Sequence, residues 1–154
     1  MLVLTSVALG TWSLPLLSIF TDLLRRFDVQ LPWWGIGLGA IVFVFSLALR
    51  WRAHADLGRY WSFTVETADD HALVTRGIYG VLRHPIYVSM ILWAVAQPLL
   101  LQNAVAGFGG VVAAACIWLV RVPLEERMML ERFGTAYRDY LSRTGRILPR
   151  LRQT

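Results

Sequence analysis

One long uncharged stretch decides the fold of this chain: residues 83–121, RHPIYVSMILWAVAQPLLLQNAVAGFGGVVAAACIWLVR. Between its terminal arginines, residues 84–120 contain no Asp, Glu, Lys or Arg. A single helix of that length would reach about 55 Å, far more than the ~30 Å hydrocarbon core of a bilayer. Its middle is polar and contains a helix-breaking proline, in the residues Gln97, Pro98, Gln102 and Asn103. The stretch 84–120 therefore predicts a helical hairpin with two short membrane spans, 85–101 and 104–120.

Two further uncharged runs, residues 1–21 and 29–49, are each long enough to cross a membrane. Residues 1–21 lack the positive start of a secretory signal and are longer than its usual apolar region, which favours a retained span. We therefore expect an all-α integral membrane protein with four transmembrane helices in a single domain, 1–154. Residues 1–49 form its first two spans, and residues 50–154 carry the hairpin and the polar residues.

The composition excludes several other classes of protein. Hydrophobic residues make up 56% of the chain and charged residues 16%, against about 25% charged in ordinary soluble domains. Such a chain is neither a soluble globular domain nor a disordered one. A single cysteine, Cys116, lies inside an apolar run and rules out an internal disulfide.

Arginine predicts the orientation in the membrane, since the chain contains no lysine. Thirteen of the 15 arginines lie in residues 50–83 and 121–154, and only Arg25 and Arg26 lie elsewhere. The positive-inside rule then places both segments, and with four spans both termini, in the cytoplasm. The net charge of +5 reflects this topology and attraction to lipid headgroups; the arginines match no nucleic-acid-binding fold.

The C-terminal segment predicts a cytoplasmic amphipathic helix. Its apolar face recurs at three- and four-residue spacings through Met129, Phe133, Tyr137, Tyr140, Leu141 and Thr144. Gly134 within it indicates a kink or a close contact, and Pro149 marks the latest end.

Polar residues gather at the two ends of the predicted hairpin. Pro85 suits the first turn of a helix, so His84 stands at the cap, where the helix dipole favours an anionic ligand group. Arg121 and Glu125 are four residues apart and can form an ion pair, or each can hold an opposite charge on a ligand. Structural roles, as a cap or as interfacial anchors, are equally open for each residue alone. The histidine spacing matches no common metal site.

The order of these motifs resembles the isoprenylcysteine carboxyl methyltransferase family and the related phospholipid methyltransferases. The resemblance covers about 57–150. It is carried by HALVTRGIY at 71–79, RHPIY at 83–87, Arg121 with Glu125 and Glu126, FG at 133–134, and then Tyr137, Tyr140 and Pro149. Two departures are Ser89, where the family has glycine, and Ala104, where it commonly has proline.

The resemblance implies an integral membrane enzyme that transfers the methyl group of S-adenosylmethionine to a lipophilic acceptor. The cofactor contacts that it implies are His71, Ala72, Leu73, Val74, Tyr79, His84, Pro85, Ile86, Tyr87 and Glu125. Arg121 corresponds to a substrate-facing arginine. A carboxylate acceptor needs no general base, whereas an amine or hydroxyl acceptor could use Glu126.

The residue chemistry agrees with such a cofactor. Glu125 can hold its amino group, the helix start at His84 can face its carboxylate, and aromatic and aliphatic side chains can enclose its adenine. Two other functions stay open at this point: a membrane reductase related to the sterol reductases, and a lipid-binding protein without enzymatic activity. Prenylcysteine carboxylates, lipid amines, thiols and phenolic lipids all remain possible acceptors.

Overall fold

The computed structural model describes residues 8–58 and 72–150, and every regular element within them is helical. Short 3₁₀ turns lie at Arg25–Phe27 and Gly77–Gly80. Four longer helices follow one another as α1 (Leu9–Phe20, with a π-helical first part), α2 (Trp33–Leu57), α3 (Pro85–Leu101) and α4 (Ala104–Arg143). The expected all-α fold is thereby confirmed for the described residues.

The predicted hairpin is formed by α3 and α4, which pack against each other. Only Gln102 and Asn103 separate the two helices. Gln102 adopts a left-handed conformation with φ 49°, which ends α3. Asn103 then starts α4, because its side-chain oxygen accepts a hydrogen bond of 2.9 Å from the Ala106 backbone N–H. The first predicted span, 85–101, matches α3 at both ends.

The tip of the hairpin is tied to the connection between α1 and α2. The Asn103 side-chain amide donates to the Leu24 carbonyl at 2.7 Å and to the Asp28 carboxylate at 2.8 Å. The Val29 backbone N–H donates to the Gln102 carbonyl at 2.7 Å. These bonds fix the tip on the side of the bundle opposite to His84.

Two helices, α2 and α4, are long and apolar enough to cross a membrane, whereas α1 and α3 are shorter apolar helices. The span predicted at 29–49 begins later, at Trp33, and continues past Arg50 to Leu57. Helix α3, with 17 residues, reaches about 26 Å. The arrangement of four spans stays a prediction.

Glycines allow the helices to approach closely. A Cβ atom on Gly39 of α2 would lie 2.8 Å from the Leu99 Cβ of α3. A Cβ atom on Gly107 of α4 would lie only 2.5 Å from the Pro98 Cα. Within a lipid bilayer the hydrophobic effect does not drive helices together, so close backbone contact of this kind supplies much of the packing energy.

Helix α4 continues beyond the predicted span 104–120, as one element to Arg143. Residues 124–130 are mostly strong helix formers, so Pro123 does not interrupt the element. A break comes at Gly134, whose φ of 53° and ψ of −118° are not helical. A Cβ atom there would meet nothing within 4 Å, so Gly134 provides a kink rather than a close contact.

Beyond the kink, Tyr137 and Tyr140 are buried while Arg138 and Asp139 are exposed. The buried and exposed positions of this segment therefore follow the three- and four-residue spacing of apolar residues in the sequence. How this segment lies relative to a membrane stays a prediction.

Candidate active site

The site is built around the start of α3, where Pro85 occupies the first helical position and His84 is the N-cap residue. Proline lacks the N–H that a first turn leaves unpaired, and its fixed φ suits that position. Both residues are buried. The predicted helix start at His84 is therefore confirmed, although the His84 side chain makes no capping hydrogen bond and is directed to other partners.

Glu125 joins the two helices at this end of the hairpin. The Tyr87 hydroxyl on α3 donates a short hydrogen bond to the Glu125 carboxylate on α4. Arg121, one turn before Glu125, lies 3.6 Å from the same oxygen. The predicted ion pair is thus present, and roughly a quarter of each of its side chains is exposed (23% and 27%). Glu125 is therefore reachable by a ligand.

Glu126 faces a different set of partners. Its carboxylate lies 3.1 Å from His84 Nε2, 3.4 Å from Arg83 Nε and 3.0 Å from Arg146 Nε. Burial by itself raises the pKa of this carboxyl, but hydrogen bonds from His84 and Arg146, together with their charges, outweigh it and hold the pKa at about 2. A carboxylate held so firmly in its ionised form favours a positioning role over the role of a general base.

Aromatic rings surround the His84 imidazole. The centre of the Tyr87 ring lies 5.8 Å from that of His84. Trp118 on α4 presents its ring at 84° to the imidazole, with the two centres 6.1 Å apart. Sequence reasoning missed Trp118, because nothing local distinguishes it from the six other tryptophans of this apolar chain. Its position one turn before Val122 on the hairpin is the only signal available.

Tyr79 lies in the 3₁₀ turn Gly77–Gly80, and two contacts hold this turn. The Tyr140 hydroxyl donates to the Tyr79 carbonyl at 2.7 Å. The Asp56 carboxylate at the end of α2 accepts a 2.7 Å hydrogen bond from the Ile78 backbone N–H. Burial chiefly raises the pKa of the Tyr79 hydroxyl, and the Glu125 charge adds to the shift, so Tyr79 presents a neutral ring near that carboxylate.

The remaining candidates are less well defined. Ala72, Leu73 and Val74 lie in irregular chain leading to the turn, with Leu73 and Val74 half-buried, and their contact with a cofactor stays a prediction. Ile86 is half-buried in the first turn of α3. His71 lies outside the described residues. Within residues 8–58 and 72–150, no three His, Cys, Asp or Glu side chains form a group that could hold a metal ion.

A cavity of about 310 Å³ lies between the helices. Helices α1 to α4 all contribute to its lining, with Trp12, Arg50, Met90, Trp93, Gln97 and Ile117. Ile117 is one turn before Arg121, and Met90 is three residues beyond Tyr87, so the cavity begins about one helical turn from the site. Arg50 is half-buried. The sequence did not place Arg50 in this wall, because it indicated Arg50 only as the end of a span.

The Gln97 side chain is buried in the wall of this cavity. Its amide donates to the Thr11 carbonyl of α1 at 3.2 Å. Its side-chain oxygen occupies the space where a Cβ atom on Gly110 would lie. That oxygen has no hydrogen-bond partner among the described residues.

Comparisons with known proteins identify the family of the chain. Residues 38–131 match the model of the isoprenylcysteine carboxyl methyltransferase family. A protein-S-isoprenylcysteine O-methyltransferase of Dictyostelium discoideum is 36% identical over 110 residues, which are 70% of this chain and 45% of that protein. The corresponding enzyme of Mus musculus is 32% identical over 151 residues, 94% of this chain and 50% of that protein.

A solved structure is similar as well. The eukaryotic intramembrane Ras methyltransferase, an isoprenylcysteine carboxyl methyltransferase, superposes with a TM-score of 0.71 at 28% identity, over 95% of this chain and 52% of that chain. The chain thus spans about half the length of the relatives that it matches.

Proposed function

Because the chain belongs to the isoprenylcysteine carboxyl methyltransferase family, we propose that it is an integral membrane enzyme that methylates a lipophilic acceptor with S-adenosylmethionine. The observation that carries the proposal is the partly exposed carboxylate of Glu125, which stands at the open end of the hairpin. It lies about one helical turn from the largely apolar cavity between the four helices. Relatives of this chain are named as methyltransferases of protein S-isoprenylcysteine.

The residues present fit the cofactor. It carries an amino group, a carboxylate, an adenine and a sulfonium, and the last of these supplies an electrophilic methyl group when the cofactor is bound. Glu125, oriented by Tyr87, would hold the amino group by a charge-assisted hydrogen bond. The start of α3 at His84 and Pro85 favours a carboxylate. Tyr79 and Tyr87 would provide aromatic contacts for the adenine.

The acceptor's lipid chain fits the cavity between the helices. Its volume of about 310 Å³ lies at the lower end of the range for small-molecule sites. Most of the wall is aromatic or aliphatic, which favours an isoprenoid or acyl chain. Arg50 in that wall and Arg121 at the site are placed to attract an anionic end of the acceptor, such as a carboxylate or a phosphate.

Transfer between such partners requires little proton chemistry. A carboxylate acceptor is already a nucleophile, so the chain's own residues have to align it and exclude water. The pairing of Glu126 with Arg83, His84 and Arg146 supports this mode over one with Glu126 as the base. A prenylcysteine-like carboxylate is therefore the acceptor that we favour, and a lipid headgroup amine or hydroxyl is the alternative.

We place the protein in the membrane with four spans and with both termini in the cytoplasm. The hairpin tip and the connection between α1 and α2 would then lie on the opposite side. The arginine distribution supports this orientation. It puts the site, where a water-soluble cofactor must arrive, on the cytoplasmic face.

The decisive experiment is cofactor binding to the full chain purified in detergent. Isothermal titration with S-adenosylhomocysteine, the product form of the cofactor, is expected to give a micromolar Kd. A second titration with a nicotinamide dinucleotide tests the reductase alternative. If S-adenosylhomocysteine does not bind while lipids do, the protein is a lipid-binding protein and the proposal fails. Transfer of a labelled methyl group to an S-farnesylcysteine or to a phospholipid then distinguishes the acceptors.

A further inference from the structure

The Glu126 carboxylate is the meeting point of three separate parts of the chain. His84 and Arg83 reach it from the start of α3. Arg146 reaches it from the segment that follows α4. Only 10% of the Glu126 side chain and 8% of the His84 side chain are exposed. The His84–Glu126 contact is therefore well shielded from water, and a charged carboxylate in such a place acts strongly on its neighbours.

Arg146 contacts both oxygens of this carboxylate. Its Nε lies 3.0 Å from Oε1, and its Nη2 bonds to Oε2. Such a two-point contact fixes the plane of a carboxylate, whereas a single ammonium group would let it rotate. The oxygen that bonds His84 Nε2 is Oε1. Arg146 thereby sets the direction from which the imidazole is held.

The segment that carries Arg146 is itself bound to the chain in front of α3. The Gly145 backbone N–H donates to the Val81 carbonyl at 3.1 Å, and the Arg83 N–H donates to the Gly145 carbonyl at 2.8 Å. Arg83 also donates from Nη1 to the Leu141 carbonyl at 3.1 Å and to that of Thr144. These contacts place Arg146 beside Glu126, although 20 residues separate the two in sequence.

We propose that Glu126 and Arg146 are a positioning pair that holds the His84 imidazole in place for cofactor binding, so that the segment after α4 completes the site. The inference rests on the proposed function, because it requires His84 to lie against the cofactor. A carboxylate bonded to Nε2 of a neutral imidazole keeps the proton there and leaves Nδ1 as an acceptor. The rings of Tyr87 and Trp118 hold the other sides of the imidazole.

Arg150 provides a matched control for Arg146. It lies on the same segment and donates from Nη1 to the carbonyls of Leu141 and Ser142, so it anchors the segment without contacting Glu126. Loss of Arg150 tests anchoring alone. Loss of Arg146 tests anchoring and the contact with Glu126 together.

The experiment compares Arg146→Gln, Arg146→Lys and Arg150→Gln with the unmodified full chain in detergent. We expect Arg146→Gln to weaken S-adenosylhomocysteine binding about tenfold, which is the lower end of what losing an outer-shell orienting partner costs. Arg146→Lys should recover only part of that loss, and Arg150→Gln should bind within twofold of the unmodified chain.

The pH dependence of binding distinguishes the positioning role from anchoring of the segment, because anchoring alone does not change it. The groups that face Glu126 are Arg83 and His84 before α3, Tyr137 on α4, and Arg146. Without Arg146, Glu126 takes up a proton at a higher pH, so the acid limb of the binding curve should move upward in Arg146→Gln. Glu126→Gln removes this titration and is therefore the control for the shift of the limb.

The outcomes separate the two proposals. Failure of the unmodified chain to bind S-adenosylhomocysteine overturns the proposed function. If the unmodified chain binds but Arg146→Gln matches Arg150→Gln in affinity and in its acid limb, the positioning pair is overturned. If Arg146→Gln does not fold, Arg146→Lys replaces it in the test, because it keeps the charge. Full affinity of Arg146→Lys, with the acid limb of its binding curve at the same pH as in the unmodified chain, would equally overturn the positioning pair.

Discussion

The Tyr87 hydroxyl donates a hydrogen bond to the Glu125 carboxylate across the two helices of the hairpin. The two residues lie 38 positions apart in sequence, and the hairpin turn brings them together. The contact leaves the second Glu125 oxygen for other partners. A carboxylate oriented in this way can receive a cationic group without reorganising.

Replacing Glu125 by Gln should weaken S-adenosylhomocysteine binding about ten- to a hundredfold, because a charge-assisted hydrogen bond is lost. Isothermal titration measures the effect. Glu131→Gln, a change at an exposed position of the same helix, is the control and should bind like the unmodified chain. Equal affinities for the two variants would place the cofactor elsewhere.

Stability should fall in acid through Glu126. Its pKa of about 2 in the folded protein lies below the ordinary 4.5. The stabilisation is therefore complete above about pH 4.5 and is lost as the pH falls toward 2. Thermal unfolding, followed by tryptophan fluorescence from pH 6 to pH 2.5, should show the unmodified chain converging on Glu126→Gln in acid. A constant difference between the two Tm values across that range would contradict the assignment.

Arg50→Gln should lower methyl transfer to an anionic lipid acceptor and raise the KM for that acceptor, because the charge in the cavity wall is removed. Binding of S-adenosylhomocysteine should stay within twofold of the unmodified chain. Arg127→Gln, at an exposed position on α4, controls for net charge. The role of Arg50 would be rejected if the two variants gave the same acceptor KM.

Gly107→Ala should destabilise the hairpin by about 1–3 kcal/mol. The added methyl group would meet the Pro98 backbone at 2.5 Å, and a backbone cannot move aside as a side chain can. Gly37→Ala on α2 is the matched control, because a Cβ atom there meets nothing within 4 Å. The Tm of Gly107→Ala should fall and that of Gly37→Ala should not.

The membrane orientation predicts opposite locations for the two ends of the hairpin. Reporter fusions after residues 60, 102 and 154 should read cytoplasmic, external and cytoplasmic. The concentration of arginine in residues 50–83 and 121–154 predicts these locations. A cytoplasmic reading at 102 would show that the hairpin does not cross the membrane.

Local signals explain which parts of the fold could be predicted. Pro85 and the pair Gln102 and Asn103 mark both ends of α3, and the approximate bounds predicted for this helix agree with its ends. The continuity of α4 beyond the span 104–120 was missed because hydropathy falls at Arg121 while helix propensity does not. A fall in hydropathy reports where an apolar stretch ends, and the helix itself ends only where the backbone changes, at Gly134 and then after Arg143.

In the site, too, contacts that are local in sequence could be predicted and contacts that depend on the tertiary fold could not. Arg121 and Glu125 form the predicted pair because a four-residue spacing on a helix is a local property. The contact of Glu126 with Arg146 depends on how the chain after α4 returns to α3. The cavity beside Arg50 needs all four helices in place. No spacing in the sequence encodes either arrangement.

Helix α4 is continuous from the hairpin tip to the site. The geometry of the site therefore depends on the number of residues that separate it from the tip. Asn103 fixes one end of the helix, and Arg121 stands 18 residues later, at about five full turns. Inserting one residue between 111 and 117 would rotate everything beyond it by about 100°. Glu125 would then turn away from Tyr87 although no residue of the site had changed. We therefore expect the length of this part of α4 to be essential to the site even where its side chains can be exchanged.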